Sequence, residues 1–546
     1  MSTLIFSLCA DEPVNVGWGS RATQFHGSAG KAAAAAAAAE AEAAKQADAK
    51  DDPRGPMTLD DDALARISWR GDGAFFMVSA LEPSSIAHSF SSRGLHHHRS
   101  IRVFARDGNL SATSEPTVRG LTHVLAVKPT GNIIASSQRF GMLNKEVLDA
   151  TETENVDALK LAKGRDGRHD IIFFERNGLR HGEFSLREEG AAQPVAEGAS
   201  TTTLSWTREH TIREIAWNSD GSALAVLLSR STSSIDEASA DEDVVQIWTT
   251  GNYHWYLKQE ASAASLGLDA ARTSLKAMLW HPEAPHELYL TWTSYTADLS
   301  TATGSLIEHR SLFLDTAASS SCTPPHDAAC VSVTDGQALL LTSFRLQNVP
   351  PPMSSLALLP HRAETHTKPD PVPVHVVWAD VASPAKGSIS ILAVLHQGAS
   401  VVLYALCWGQ MPRAAPQGSR TFPLPKRLGA VSFTSSAEGG PLAAIQVAAS
   451  AKGKGEGSDS GVEIDLAILG RNEAGDKVVG VKRIQAEIGL EGGAIRSQSE
   501  TSLTTIARGR RRSRLVALQQ SSPQDTVSAF VLHHADGTLH FSEYEV

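Results

Sequence analysis

ISWRGDGAFFMVSAL (residues 67–81) and IAWNSDGSALAVLLS (residues 215–229) follow one plan: an apolar stretch ending on a tryptophan, a short polar turn closing on glycine, and a second apolar stretch. LAVKPTGNIIASSQR (125–139) repeats the plan with Val127 in the tryptophan's place. MLWHPEAPHELYLTW (278–292) and VVWADVASPAKGSISILAVLHQG (376–398) repeat it with longer turns. Each reads as a hairpin, because Asp-Gly, Pro and Asn supply the positive-φ or pre-bent residues that a tight reversal needs. The flanking runs are continuously apolar, so these strands are expected to be buried on both faces.

A second element recurs: an amphipathic strand running into a turn, in IRVFARDGNL (101–110), IIFFERNGL (171–179), VVQIWTTGNYHWYL (244–257) and VLHHADGTLHFSEYEV (531–546). Paired with the first, it makes units of about four strands, the blade of a β-propeller. The anchors Trp69, Val127, Trp217, Trp280 and Trp378 stand 58, 90, 63 and 98 residues apart. A minimal WD-type repeat takes about 40–45 residues, so loops inflate these repeats or degraded repeats lie between them. Helical heptads and strand–helix alternation are missing. The fold class is all-β, with tandem WD-type β-propellers.

Of 546 residues, 42% are hydrophobic and 20% charged, which argues against a disordered chain. The net charge of −11 is a poor start for a protein whose main work is coating nucleic acid. Cys9, Cys322, Cys330 and Cys407 are too few for a disulfide framework and have no C-x-x-C spacing, so a reducing compartment fits best. MSTLIFSLCADEP lacks the basic start of a signal peptide. The most apolar window, residues 389–408, is broken by His396, Gln397 and Gly398, so no membrane association is expected. Ala32–Ala39 and the EAEAAKQADAKDD that follows form the conspicuous low-complexity stretch, read as an insertion over 31–66.

Catalytic motifs fail one by one. GSAGKAAA (27–34) lacks the first glycine and the Ser/Thr of a phosphate loop, and GKGEGSDSG (453–461) follows no clear strand in the sequence. His96, His97 and His98 would point to alternate faces of a strand and read as a polar loop. No cofactor and no metal is expected. An enzyme using a propeller's central channel would need acids or histidines converging from strand starts, and the sequence displays no such set.

Two clusters are candidate contact sites. Tyr253, His254, Trp255 and Tyr256 are consecutive rings in a chain only 6% aromatic. On a strand Tyr253 and Trp255 share one face while His254 and Tyr256 share the other, packed between blades or forming a partner surface. Arg508, Arg510, Arg511, Arg512 and Arg514 would repel one another unless solvated or facing an anion, either an acidic partner or RNA phosphate. No aromatic interleaves them as a stacking platform.

VNVGWGSRATQFHGSAGK (14–31), FFERNGLRHGEFSL (173–186), REIAWNSDGSALAV (213–226), VQIWTTGNYHWYLKQE (245–260) and NVPPPMS (348–354) occur in this order. Together they resemble the N-terminal region of the largest subunit of the Elongator complex, the IKAP family. The resemblance implies a non-catalytic scaffold of two tandem propellers, followed in the family by a helical-repeat region that dimerises it. It implies that the propellers hold a catalytic subunit, carrying radical S-adenosylmethionine and acetyltransferase-like domains, and a second propeller subunit. Wobble-uridine modification of transfer RNA would be served indirectly, in the cytoplasm with the nucleus as a second compartment. On this reading residues 1–260 are the later blades of the first propeller, lacking its opening blades, and residues 261–546 are the second propeller, whole or incomplete. The homodimerisation region and the family's C-terminal basic segment have no counterpart here. The alternative is a propeller that binds RNA directly through its basic loop.

Overall fold

A computed structural model of the chain describes residues 61–83, 97–114, 120–139, 169–186, 210–230, 242–251, 254–296, 300–312, 314, 318–319, 330–336, 338–344, 356–358, 372–383, 387–396, 400–408, 426–433, 442–451, 461–472, 475–487, 495–497, 507–508, 514–520, 527–534 and 537–545. They form eight antiparallel sheets in chain order. Sheet 1 holds β1 (Arg66–Trp69), β2 (Phe75–Pro83), β3 (His97–Ala105) and β4 (Leu110–Thr113). Sheet 2 holds β5 (Ala126–Val127), β6 (Ile133–Arg139), β7 (His169–Glu175) and β8 (Arg180–Ser185). Sheet 3 holds β9 (His210–Trp217), β10 (Ala223–Arg230), β11 (Glu242–Gly251) and β12 (His254–Ser262). Sheet 4 has three strands, β13 (Thr273–Trp280), β14 (Glu287–Tyr295) and β15 (Ala302–Ser311).

Sheet 5 holds β16 (Ala318–Ser319), β17 (Cys330–Asp335), β18 (Ala338–Ser343) and β19 (Leu356–Leu358). Sheet 6 holds β20 (Pro373–Ser383), β21 (Gly387–His396), β22 (Ser400–Trp408) and β23 (Lys426–Ser432). Sheet 7 holds β24 (Leu442–Ala451), β25 (Gly461–Asn472), β26 (Gly475–Glu487), β27 (Ile495–Ser497) and β28 (Ala507–Arg508). Sheet 8 holds β29 (Arg514–Gln520), β30 (Val527–His533) and β31 (Leu539–Glu545). Every strand pairs with its neighbour in sequence except β28, which pairs with β26. This is the meander of a propeller blade.

The sheets pack face to face, and strand alternation assigns each face its neighbour. In β10, Leu224, Val226 and Leu228 join Ile171, Phe173 and Phe184 of sheet 2. The intervening Ala223, Ala225 and Leu227 join Met278, Leu290 and Trp292 of sheet 4. In β21, Leu392 and Val394 pack with Leu339 and Leu341 of sheet 5, while Ile391, Ala393 and Leu395 pack with Ile445 and Ile464 of sheet 7. Further clusters join sheet 1 to sheet 2 and sheet 7 to sheet 8. Among the described residues, no buried cluster joins sheet 4 to sheet 1 or sheet 8 to sheet 5.

The anchor tryptophans have a common task. Trp280 donates from Nε1 to the Ala216 carbonyl of sheet 3 at 3.0 Å, and Trp378 donates to Ser332 Oγ of sheet 5 at 3.1 Å. Trp217 lies 6.2 Å from the Phe173 ring of sheet 2, with Lys128 Nζ 5.3 Å from its own ring. Each reaches the sheet before its own.

Two expectations are corrected. His97 opens β3 instead of sitting in a loop, paired in register with Pro83, and His98 is buried with Glu82 Oε2 3.8 Å from its Nε2. A carboxylate on the facing strand makes that burial tolerable. Gly453–Gly461 does follow a strand, β24, whose small residues gave it a weak signal, and Gly461 opens β25. The segments 14–31, 32–39 and 348–354 lie outside the described residues.

Candidate functional site: a seam and a charged cavity

β12, which carries the aromatic run, is the outer strand of sheet 3. Trp255 is half-buried against sheet 2, with ring centroids 4.8 Å from Phe184, 5.1 Å from Phe173 and 5.8 Å from Trp217. His254 and Tyr256 point to the other face and are half-buried, with Lys258 Nζ 5.2 Å from the Tyr256 ring. Tyr253 lies outside the described residues.

Immediately after these rings β12 is bulged. Ile247 pairs with Gln259 and Trp248 with Leu257, leaving Lys258 as the extra residue. A bulge re-aims a side chain, and here the buried Lys258 donates from Nζ to the Thr334 carbonyl at 2.8 Å. The outward backbone of β12 is met as well. Leu257 N–H donates to Asp335 Oδ1 at 3.2 Å, and Gly336 N–H donates to the Leu257 carbonyl at 2.9 Å. An edge strand is thus capped by the β17–β18 hairpin of sheet 5. Cation and carboxylate come from opposite sides, so the seam fixes register as well as contact.

The arginine cluster lies elsewhere. Arg508 ends β28, in register with Lys477, and exposed Arg514 opens β29 opposite His533. Arg510, Arg511 and Arg512, in the connection between sheets 7 and 8, lie outside the described residues. Of the described residues, neither Arg508 nor Arg514 lies on a strand that packs against β12.

A third site went unseen in the sequence. The first strands of sheets 1 to 4 (β1, β5, β9 and β13) are neighbours, as the innermost strands of blades must be. At their starts lies a cavity of about 390 Å³ lined by Asp62, Arg66, His123, Thr211, Ile212 and Arg213. Asp61, Asp62 and His123 bring two carboxylate oxygens and a ring nitrogen within 4.8 Å of one another. Residues 61, 62 and 123 form no spacing motif; only the blade topology unites them.

The electrostatics show what this set does. Asp61 accepts from Nε and Nη2 of Arg99, both at 2.5 Å, with both side chains fully buried. Arg99 Nη1 also donates to the Leu64 and Ser79 carbonyls, at 3.1 and 3.2 Å. Asp62 pairs with Arg66 and accepts the Leu64 N–H at 3.0 Å. Burial pushes the Asp62 carboxyl upward, but the Leu64 amide, His123 and Arg66 outweigh it and hold the group below its ordinary value. Burial pushes His123 down, towards the neutral imidazole. Two carboxylates facing two guanidiniums leave no net negative charge for a cation, so the geometry is that of an ion-paired lock. Beside it Arg213 reaches Asp243 Oδ1 at 3.0 Å, and buried Asp243 accepts the Leu275 N–H of sheet 4 at 2.7 Å. The Asp61–Arg99 and Asp62–Arg66 pairs stay within sheet 1 and the segment leading into it, and Arg213–Asp243 within sheet 3; of these bonds, the one from Leu275 N–H to Asp243 crosses from sheet 4 to sheet 3.

The family model for the ELP1 first N-terminal beta-propeller matches residues 6–283. This chain belongs to the Elongator complex protein 1 family. A second model of the family, the ELP1 N-terminal second beta-propeller, matches residues 333–447. The seam therefore joins Leu257 and Lys258, inside the first match, to Thr334, Asp335 and Gly336, inside the second. Elongator complex protein 1 of Mus musculus is 32% identical over 352 residues, which are 64% of this chain and 20% of the relative. That of Saccharomyces cerevisiae is 32% identical over 350 residues, 62% of this chain and 20% of the relative. The chain spans about a fifth of the length of these curated relatives. Among solved structures, prolyl oligopeptidase B from Galerina marginata is 9% identical with a TM-score of 0.22, covering 87% of this chain and 47% of that one. A likeness at that level carries no argument.

Proposed function

We propose that this member of the family is a non-catalytic scaffold of the Elongator complex. Its propellers hold the catalytic radical S-adenosylmethionine/acetyltransferase subunit and a second propeller subunit in place, supporting wobble-uridine modification of transfer RNA. It acts in the cytoplasm, with the nucleus as a second compartment. The observation that supports this reading is the seam: a buried lysine and a carboxylate join a first-propeller strand to a second-propeller hairpin. A scaffold needs a fixed angle between its two platforms, and a charge-assisted joint supplies one at modest area.

The test is affinity purification of the tagged chain at moderate salt, read by mass spectrometry. Co-purification of the catalytic and second propeller subunits is the expected result. Transfer RNA recovered without those subunits would overturn it and favour direct binding through Arg508–Arg514. In that case log affinity would fall steeply with log salt, and replacing the arginines would flatten the slope by several units.

A further inference from the structure

The charged cavity offers more hydrogen-bond donors than its own acceptors use. Arg66 commits Nη2 to Asp62, and its Nε and Nη1 have no partner among the described residues. Arg213 commits Nη1 to Asp243 and Ser229, and its Nε and Nη2 are likewise unmatched there. Thr211 adds a hydroxyl from the same wall. His123, which also lines the cavity, is only 7% exposed, and its buried Nδ1 has no hydrogen-bond partner among the described residues. A buried polar atom left unanswered costs stability, so it points to something that answers it.

The two acids beside His123 are held differently. Asp61 is fixed by Arg99, with both side chains fully buried. Asp62 and Arg66 are each 34% exposed, and an ion pair open to solvent to that extent is weak and exchangeable. A proton on His123 therefore has its counter-charge ready in Asp62, and Arg66, once released, keeps its whole guanidinium fork for the cavity. Two guanidiniums and a hydroxyl around one space are the donor set of an oxyanion.

We propose that this cavity is a proton-coupled site for a small doubly charged oxyanion, phosphate or a phosphomonoester, held by Arg66, Arg213 and Thr211 while protonated His123 takes over Asp62. The charged groups facing His123 are Asp61, Asp62, Arg66 and Arg99, from sheet 1 and the segment leading into it, with Arg213 across the cavity from sheet 3. Burial is the largest influence and holds the imidazole neutral below its ordinary value; Arg66 and Arg99 push the same way, and the two acids oppose them. An anion on Arg66 cancels part of that push, so anion and proton each favour the binding of the other.

The test is calorimetric titration of the full chain with sulfate, which stays doubly charged at both pH 6.5 and pH 8, at constant ionic strength in chloride. One sulfate per chain is expected, bound about three- to tenfold more tightly at pH 6.5, since one-proton linkage permits at most about tenfold per pH unit. Heats compared in buffers of different ionisation enthalpy are expected to show proton uptake on binding. Arg66→Gln is expected to weaken sulfate at least about tenfold at either pH. His123→Gln is expected to keep the affinity at pH 8 while losing both the gain at pH 6.5 and the proton uptake. Inorganic phosphate and ribose 5-phosphate, compared at pH 6.5, then separate the two sources: equal affinities mark the free anion, and tighter binding of the ester marks a phosphomonoester. The unaltered chain alone can overturn the proposal, by binding no sulfate at pH 6.5 or by binding it equally at both pH values without proton uptake. Sulfate binding indifferent to Arg66→Gln would overturn it too.

Discussion

Gly178 and Gly108 occupy equivalent turns, with φ of +85° and +87°. A side chain at either costs about 1–2 kcal/mol for the left-handed backbone. At Gly108 a Cβ would meet nothing within 4 Å, whereas at Gly178 it would stand 2.0 Å from the Thr113 carbonyl oxygen of sheet 1. Backbone cannot step aside as a flexible side chain does, so overpacking adds roughly another 1–3 kcal/mol. Gly178→Ala is therefore expected to lower the denaturation midpoint two- to threefold more than Gly108→Ala, and equal losses would refute the close contact between sheets 1 and 2. Asp220 tests a turn by charge. Burial pushes its carboxyl up, but the Ser222 hydroxyl and amide, His286 and Asn218 outweigh it, so its folded value lies below the ordinary 3.8. A depressed carboxyl stabilises the fold fully above pH 3.8, and that contribution drains away as pH falls through the folded value. With its Oδ1 bound to Ser222 N–H at 2.8 Å but exposed to solvent, Asp220→Ala is expected to cost about 0.5–1 kcal/mol at pH 7 and less at low pH, where the protonated carboxyl offers only a neutral acceptor. Asp220→Asn keeps the acceptor and should lose mainly the pH dependence. Urea titrations across pH 2–7 would show whether the two variants separate.

At the scale of elements, β10 is the economical case. Leu224 packs towards sheet 2 and Leu227 towards sheet 4, both buried. Each truncation to alanine is expected to cost about 2–5 kcal/mol. Because the sheet lies between the two cavities, the double variant should be additive to within about 0.5 kcal/mol; a larger coupling would mean that the two faces share one core. This two-sided burial was legible in ALAVLLS, and the hairpins quoted from the sequence are β1–β2, β5–β6, β9–β10, β13–β14 and β20–β21. The long gap between Trp280 and Trp378 hides sheet 5, whose β16 and β19 have two and three residues and no tryptophan. Short strands carry too few positions for a period to show. The tryptophans were visible as anchors, but their reach to the preceding sheet was not, since it depends on how blades stack.

At the scale of the whole molecule, the site was less legible than the fold, and for one physical reason. The contacts that define it cross sequence separations that no local pattern encodes: 76 residues from Lys258 to Thr334, 38 from Arg99 to Asp61. The aromatic run drew notice by composition, yet the residues that bind across the seam, Leu257 and Lys258, are its unremarkable followers. The seam makes a prediction about the molecule as a unit. Lys258→Met keeps the apolar stem but leaves the Thr334 carbonyl without this donor, a loss of about 1.5–3 kcal/mol for a charge-assisted bond. Asp335→Ala removes the acceptor for Leu257 N–H from the other side. Neither change removes an apolar side chain from the cores of the stacks, and both bonds run between sheet 3 and sheet 5. What should weaken is their coupling. Calorimetry of the unaltered chain is expected to give one overlapping transition, and the double variant two, with the stack holding sheet 5 unfolding at the lower temperature. If instead the double variant keeps one transition at the original temperature, the seam is a contact without mechanical consequence. Any fixed angle between the two stacks must then come from other surfaces.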